Sequence, residues 1–267
     1  MATIGAVAYL NALPLISGLE DVPGLRVVTE VPARLFAGLE NGTYDIALCP
    51  VIDAQRTSMP IEIVSSGAIG SSDQTMTVRL FSRRPFAKLE RIHVDQESHT
   101  SVALLEVVFE QTCGRRPVLV PLGDTVTVTR NPSCDAVLLI GDKVVTREPP
   151  RSLFPHQLDL GHAWRELTGR PFVFATWLTR TGRDLGDLPQ TLRQLRDRNL
   201  GELHRLVPKW AAQHDWPIDR AEVYLRDRLS YRFGPVENAA LQLFWQRCQD
   251  LGLIPEVREV PIYQARQ

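Results

Sequence analysis

The chain of 267 residues has only four cysteines, Cys49, Cys113, Cys134 and Cys248, and they are widely scattered. No CxxC pair exists and the six histidines show no HxxxH spacing, so no metal site is expected. The apolar neighbours of Cys49 and Cys113 predict buried free thiols in a reducing compartment. Neither sign of charge is in excess: 30 Lys and Arg stand against 31 Asp and Glu. A nucleic-acid or membrane-surface partner would usually need a basic surplus, and neither is expected. No apolar run reaches the length of a bilayer span.

Other signatures are lacking too. Met1 to Leu19 is fairly apolar, but it has no basic start, and Asn11 and Pro14 interrupt it. It reads as mature structure and not as an export signal, so the expected location is cytoplasmic. There is no GxSxG elbow, no Walker loop and no GxGxxG after a strand. No histidine–carboxylate–nucleophile series can be argued from spacing.

What is present is an ordinary globular composition, 44% hydrophobic and 23% charged, with strand and helix signals in alternation. Thr3 to Tyr9 reads as a buried strand, followed by Asn11 and a short helix from Leu13 to Leu19. Strands are predicted at Leu25 to Val31, Tyr44 to Cys49 and Ile61 to Ser66, with a helix from Pro32 to Glu40 between the first two. A Gly/Ser/Thr/Asp-rich loop, Gly67 to Thr77, leads into a strand at Thr77 to Ser82. The second block has strands at Arg91 to Asp95, Pro117 to Pro121 and Asp135 to Ile140. Helices are expected at Ser98 to Gln111 and Asp159 to Thr168, and an irregular stretch runs up to Asn131. Phe172 to Thr179 is read as the strand that returns to the first block, and four helical segments complete the chain.

The alternation predicts an α/β protein with parallel strands and right-handed crossovers. We expect two lobes, residues 1–84 plus 179–267 and residues 85–178. The chain crosses between them near residues 82–86 and 175–180. A ligand cleft then lies beyond the carboxyl ends of the strands.

Loops at those ends supply the candidate site. Asn11 follows a buried strand, and its amide can donate or accept; a turn residue or cap is the plainer reading. Ser71, Ser72, Asp73, Thr75 and Thr77 form a dense polar patch, either a solvated loop or a cleft loop. Ser98, His99, Thr100 and Ser101 open an apolar helix. Ser98 is an N-cap in the plain reading, and the unpaired N–H groups there suit a carboxylate or phosphate. Gly141 would let backbone approach a ligand, while Asp142 is expected to cap the next helix. Asp45, His93 and His162 read as structural. From the residues alone, this is a binder of a small anion with no visible reaction.

Several segments, in order and over nearly the whole chain, resemble the chorismate dehydratase family of the futalosine route to menaquinone. Tyr9-Leu10-Asn11-Ala12-Leu13-Pro14-Leu15 is similar to that family's YLN-x-x-PL opening, and Tyr44-Asp45-Ile46-Ala47-Leu48 to its strand. Thr77-Val78-Arg79-Leu80-Phe81-Ser82 resembles S-V-x-L-F-S, and Ser98-His99-Thr100-Ser101 resembles S-R-T-S. Asp135 to Asp142, Asp159 to Trp164 and Thr168 to Trp177 are also close.

The resemblance implies a fold like the type II periplasmic binding proteins. It also implies a cofactor-free hydro-lyase that takes water from chorismate to give 3-(1-carboxyvinyloxy)benzoate. The alternative is a non-catalytic binder of a small aromatic carboxylate. On the resemblance, Asn11 and Thr77 are the catalytic candidates. Ser72, Ser98, His99, Thr100, Ser101 and Gly141 are the substrate-binding ones, and the substrate's own side-chain carboxylate would take the proton. Two positions differ from the family pattern: Thr77 replaces Ser, and His99 replaces Arg. An inward-pointing Asp73 would repel a dianion.

Overall fold

A computed structural model describes residues 2–265. The strands form two five-stranded sheets. The first contains β1 (Ala2–Val7), β2 (Leu25–Glu30), β3 (Ile46–Pro50), β4 (Ile61–Ser71) and β10 (Phe172–Arg180), in the order β2-β1-β3-β10-β4. The second contains β5 (Val78–Ser82), β6 (Arg91–Val94), β7 (Val118–Pro121), β8 (Ala136–Ile140) and β9 (His156–Asp159), in the order β7-β6-β8-β5-β9. The helices are α1 (Leu13–Ile16), α2 (Pro32–Glu40), α3 (His99–Cys113), α4 (Thr125–Arg130), α5 (Lys143–Thr146) and α6 (Leu160–Thr168). Four more, α7 (Leu188–Gly201), α8 (Leu203–Gln213), α9 (Ile218–Val223) and α10 (Pro235–Asp250), follow the last strand.

The sheets are mixed and not all parallel as expected, and the reversed strands have one cause. β10 runs antiparallel to both β3 and β4, and β5 runs antiparallel to both β8 and β9. These are the two strands that enter a sheet from the other lobe, so each is inserted backwards relative to its neighbours. Sheet membership also corrects the lobe boundaries of 1–84, 85–178 and 179–267. β5 belongs to the second sheet and all of β10 to the first, so the crossings fall between Ser71 and Val78 and between Thr168 and Phe172.

Three other expectations change. β4 continues through Gly67 to Ser71, where the composition predicts a polar loop, because Phe172 and Val173 pair with Ser71 and Gly70. β9 pairs with β5 although His156–Asp159 lacks an apolar run. The stretch before Asn131 holds α4, opened by Asp124, whose side chain accepts the Thr127 N–H.

Apolar side chains explain how the lobes hold. β3 and β8 are buried along their whole length, as strands covered on both faces must be. Trp164 of α6, Phe172 of β10 and Phe244 of α10 meet edge to face at centroid distances of 4.9–6.0 Å. That cluster ties the last helix to both lobes. Cys49, Cys134 and Cys248 are buried and Cys113 is half-buried, all as free thiols. Burial pushes the Cys49 thiol well up and the Cys248 thiol up to about 12. No helix among the described residues is long and apolar enough to cross a membrane.

Candidate active site

The strand ends of both lobes converge on one cleft with about 560 Å³ of empty space, counting the part open to solvent. β1 leads to Tyr9 and Asn11, β8 leads to Gly141, and the N-cap and first turn of α3 deliver Ser98 and Ser101. The two crossing segments add the remainder. Thr75 and Thr77 lead into β5, and a register shift between Val173 and Ala175 presents Phe174 and Ala175 from β10. Among the described lining residues there is no Asp, Glu, His, Lys or Arg.

The loop before Thr77 is held by Asp159, the N-cap of α6. Its carboxylate accepts the Thr75 N–H at 3.0 Å, the Thr75 hydroxyl at 3.0 Å and the Met76 N–H at 2.8 Å. Met76 takes a left-handed φ of 67° under that restraint. Gly161 allows the close approach, since a Cβ there would lie 2.4 Å from the Thr75 methyl and 2.6 Å from the Asp73 carbonyl oxygen. The loop thereby fixes Thr77 at the cleft wall.

The Thr77 Oγ1 lies 2.7 Å from the hydroxyl of Tyr224. Asn11 lines the same cleft, and its Oδ1 is buried with no partner. Burial raises the Tyr224 pKa far above the ordinary phenol range, with Asp142 nearby adding to the shift and the neighbouring polar side chains of Thr77 and Asn11 partly offsetting it. The phenol therefore stays protonated. Tyr224 stacks on Trp216 at 4.9 Å and 16°.

Tyr224 is the site residue that sequence reasoning missed. Ala221 to Leu229 has helical apolar spacing, and a Tyr within it reads as core. In fact α9 ends in a single π turn, Tyr224–Arg228, closed by the Leu229 N–H on the Tyr224 carbonyl at 3.2 Å. Such a turn re-aims one side chain and leaves no mark on the residue pattern.

Of the other expected site residues, Ser98 and Ser101 line the cleft, and Ser98 also caps α3 by accepting the Ser101 N–H at 3.3 Å. Gly141 lines it with a φ of 63°, against the Tyr9 ring. Thr100 does not reach it: its hydroxyl is fully buried and accepts the Ile52 N–H at 3.3 Å. His99 turns away, its Nδ1 2.8 Å from Asp53 Oδ1 across the seam between the lobes. Ser72 is exposed at the loop tip and outside the cleft. Asp73 points outwards to His162, at 2.6 Å, so it sets no negative charge in the cleft.

Asp142 does not cap α5. Its carboxylate instead accepts the Leu10 N–H at 3.3 Å and the Trp216 indole N–H at 3.1 Å, and lies 2.8 Å from His214 Nδ1. Tyr9 makes a second bond across the lobes, donating its hydroxyl to Glu97, which is also paired with Lys143 at 2.8 Å. Asp45 is structural, accepting the Thr3 N–H at 2.8 Å.

Over residues 2–250 the chain matches a protein family described as menaquinone biosynthesis. The chain belongs to that family. It is 28% identical over 221 residues to the chorismate dehydratase of Thermus thermophilus, covering 76% of this chain and 79% of that one. It is 24% identical over 259 residues to the chorismate dehydratase of Campylobacter jejuni, covering 93% and 98%.

Solved structures agree on the fold. A protein from Archaeoglobus fulgidus superposes with a TM-score of 0.73 at 15% identity, over 95% of this chain and 98% of that one. The alkanesulfonate-binding protein of Xanthomonas axonopodis pv. citri, bound to MOPS, superposes with a TM-score of 0.70 at 17% identity, over 96% and 94%. The two-lobed α/β architecture of the periplasmic binding proteins is thus the fold of this chain, as the sequence resemblance implied.

Proposed function

We propose that the protein is a chorismate dehydratase, a carbon–oxygen lyase that acts without a cofactor. The observation that carries this reading is the character of the cleft wall. It offers hydroxyls, one carboxamide and a helix start, and its described residues include no carboxylate, imidazole or amine to serve as a base. Such a wall suits a substrate that brings its own base.

In the reaction, the enolpyruvyl carboxylate of chorismate takes the proton from ring carbon C3. The carboxylic acid so formed returns that proton to the C4 hydroxyl, which leaves as water, and the ring becomes aromatic. Aromatisation supplies much of the driving force, so the protein's part is orientation and hydrogen bonding. The unpartnered Asn11 Oδ1 accepts from the hydroxyl that departs, and the Thr77 hydroxyl donates to it. The N–H groups of His99 and Thr100, the first two of α3, have no helical acceptor and take the ring carboxylate together with the Ser98 and Ser101 hydroxyls.

Purified protein incubated with chorismate, followed by mass spectrometry, tests the reading. The expected product is chorismate less one water. Chorismate recovered unchanged, at a protein concentration that gives saturable binding, would overturn it in favour of a binding protein.

A further inference from the structure

We propose that Tyr224 is the positioning residue that makes Thr77 a hydrogen-bond donor to the leaving hydroxyl, an inference that rests on the dehydratase reading above. A threonine hydroxyl has one proton and can direct it anywhere its rotamer allows. The direction here is set by the relative acidity of the two hydroxyls that meet. A phenol is a stronger acid than an aliphatic alcohol and so the better donor, while the alcohol oxygen is the better acceptor. The phenol keeps its own proton because burial holds its pKa high. With Thr77 Oγ1 at 2.7 Å, that proton goes to Thr77. Thr77 then receives, and its own proton is left to point into the cleft.

Tyr224, Thr77 and the leaving hydroxyl then form a chain of donors, and Asn11 Oδ1, buried without a partner, is the acceptor in the same cleft lining. Each bond in such a chain polarises the next, which strengthens the terminal donor. Tyr224 is in turn held by its ring stack on Trp216, whose indole N–H is tied to Asp142 at 3.1 Å. Asp142 follows β8 of the second lobe, and its carboxylate also takes the Leu10 N–H beside Asn11. The phenol is therefore in register with Thr77 only when the second lobe, the β1 loop and the C-terminal helices are packed together.

The test is a double-mutant cycle on chorismate turnover with Tyr224→Phe, Thr77→Val and the pair. Phe keeps the ring that stacks on Trp216, and thermal melts confirm that each variant folds. Tyr224→Phe is expected to lower kcat roughly 10- to 100-fold with KM changed less than about threefold, the effect of losing one committed hydrogen bond. In the Thr77→Val background the same change is expected to cost less than about threefold, because Tyr224 acts through Thr77. A kcat of Tyr224→Phe within about twofold of the parent overturns the proposal, as do losses that multiply in the double variant. The parent protein in the same assay separates the two readings. No product from it overturns the dehydratase assignment, whereas product from it alongside an undiminished Tyr224→Phe variant overturns only the role of Tyr224.

Discussion

Asp142 and Trp216 are joined by a 3.1 Å hydrogen bond that links a strand end of the second lobe to the C-terminal helices. The same carboxylate serves the Leu10 N–H and His214. Asp142→Ala strands these groups together. We expect unfolding free energy to fall by about 1.5–3 kcal/mol, the cost of losing hydrogen bonds to a charged acceptor. Urea denaturation checks the size, and tryptophan emission reports the released Trp216 stack. A midpoint equal to that of the parent would contradict the role.

Asn11 supplies the acceptor that nothing in the protein satisfies. Asn11→Ala is expected to lower kcat by about 100-fold or more, as loss of an oriented polar group in an acyl-transfer site does, with the circular dichroism spectrum unchanged. Full turnover by the variant would remove Asn11 from the reaction.

His99 faces Asp53, whose carboxylate is 5% exposed and whose second oxygen has no partner. His99→Ala leaves that carboxylate without its hydrogen bond, at an expected cost of about 1–3 kcal/mol of stability. Turnover should hardly change in kcat, since the ring lies outside the cleft. A large fall in kcat with undisturbed stability would return His99 to the substrate.

Glu97 joins the lobes through Tyr9 and carries a pH dependence. Burial pushes its carboxyl up, but hydrogen bonds from Lys143 and Tyr9 outweigh that and leave it below the ordinary value. Its contribution to stability is thus complete above about pH 4.3, the unfolded value, and is lost as pH falls through the depressed folded value. The group is about one-third exposed, so the effect is held to about 1 kcal/mol or less by solvent screening. Urea midpoints over this range for the parent and for Glu97→Gln measure it. The variant should show the shallower decline on the acid side, and identical slopes would refute the assignment.

The predictions that came true in the sequence were those carried by local chemistry. The apolar run read as a strand over Thr3 to Tyr9 marks β1, which ends at Val7 with Asn11 beyond it, and Ser98 before an apolar helix marks the cap of α3. Residue types do not encode direction, however. Thr100 and His99 sit in the same helix turn as Ser101, yet one faces Ile52 and the other Asp53, because α3 presents them to the first lobe. Asp142 looked like a cap because its true partners, Leu10, His214 and Trp216, are distant in sequence. The lobe crossings were misplaced because β5 and β10 look alike as apolar strands, and only pairing reveals which sheet each one joins.

The π turn at Tyr224 also bears on how such a site is acquired. Residues Leu229 and Ser230 are anchored beyond it, Ser230 by its bridge to Gly70. An α-helix advances about 100° per residue, so losing one residue from the turn would swing Tyr224 away from Thr77 by about that angle while the anchor stayed put. One inserted codon in an otherwise regular helix is therefore enough to bring a phenol into the cleft, and one deleted codon is enough to withdraw it. A deletion within Tyr224–Arg228 should therefore disturb the site more than a substitution on the same helix face.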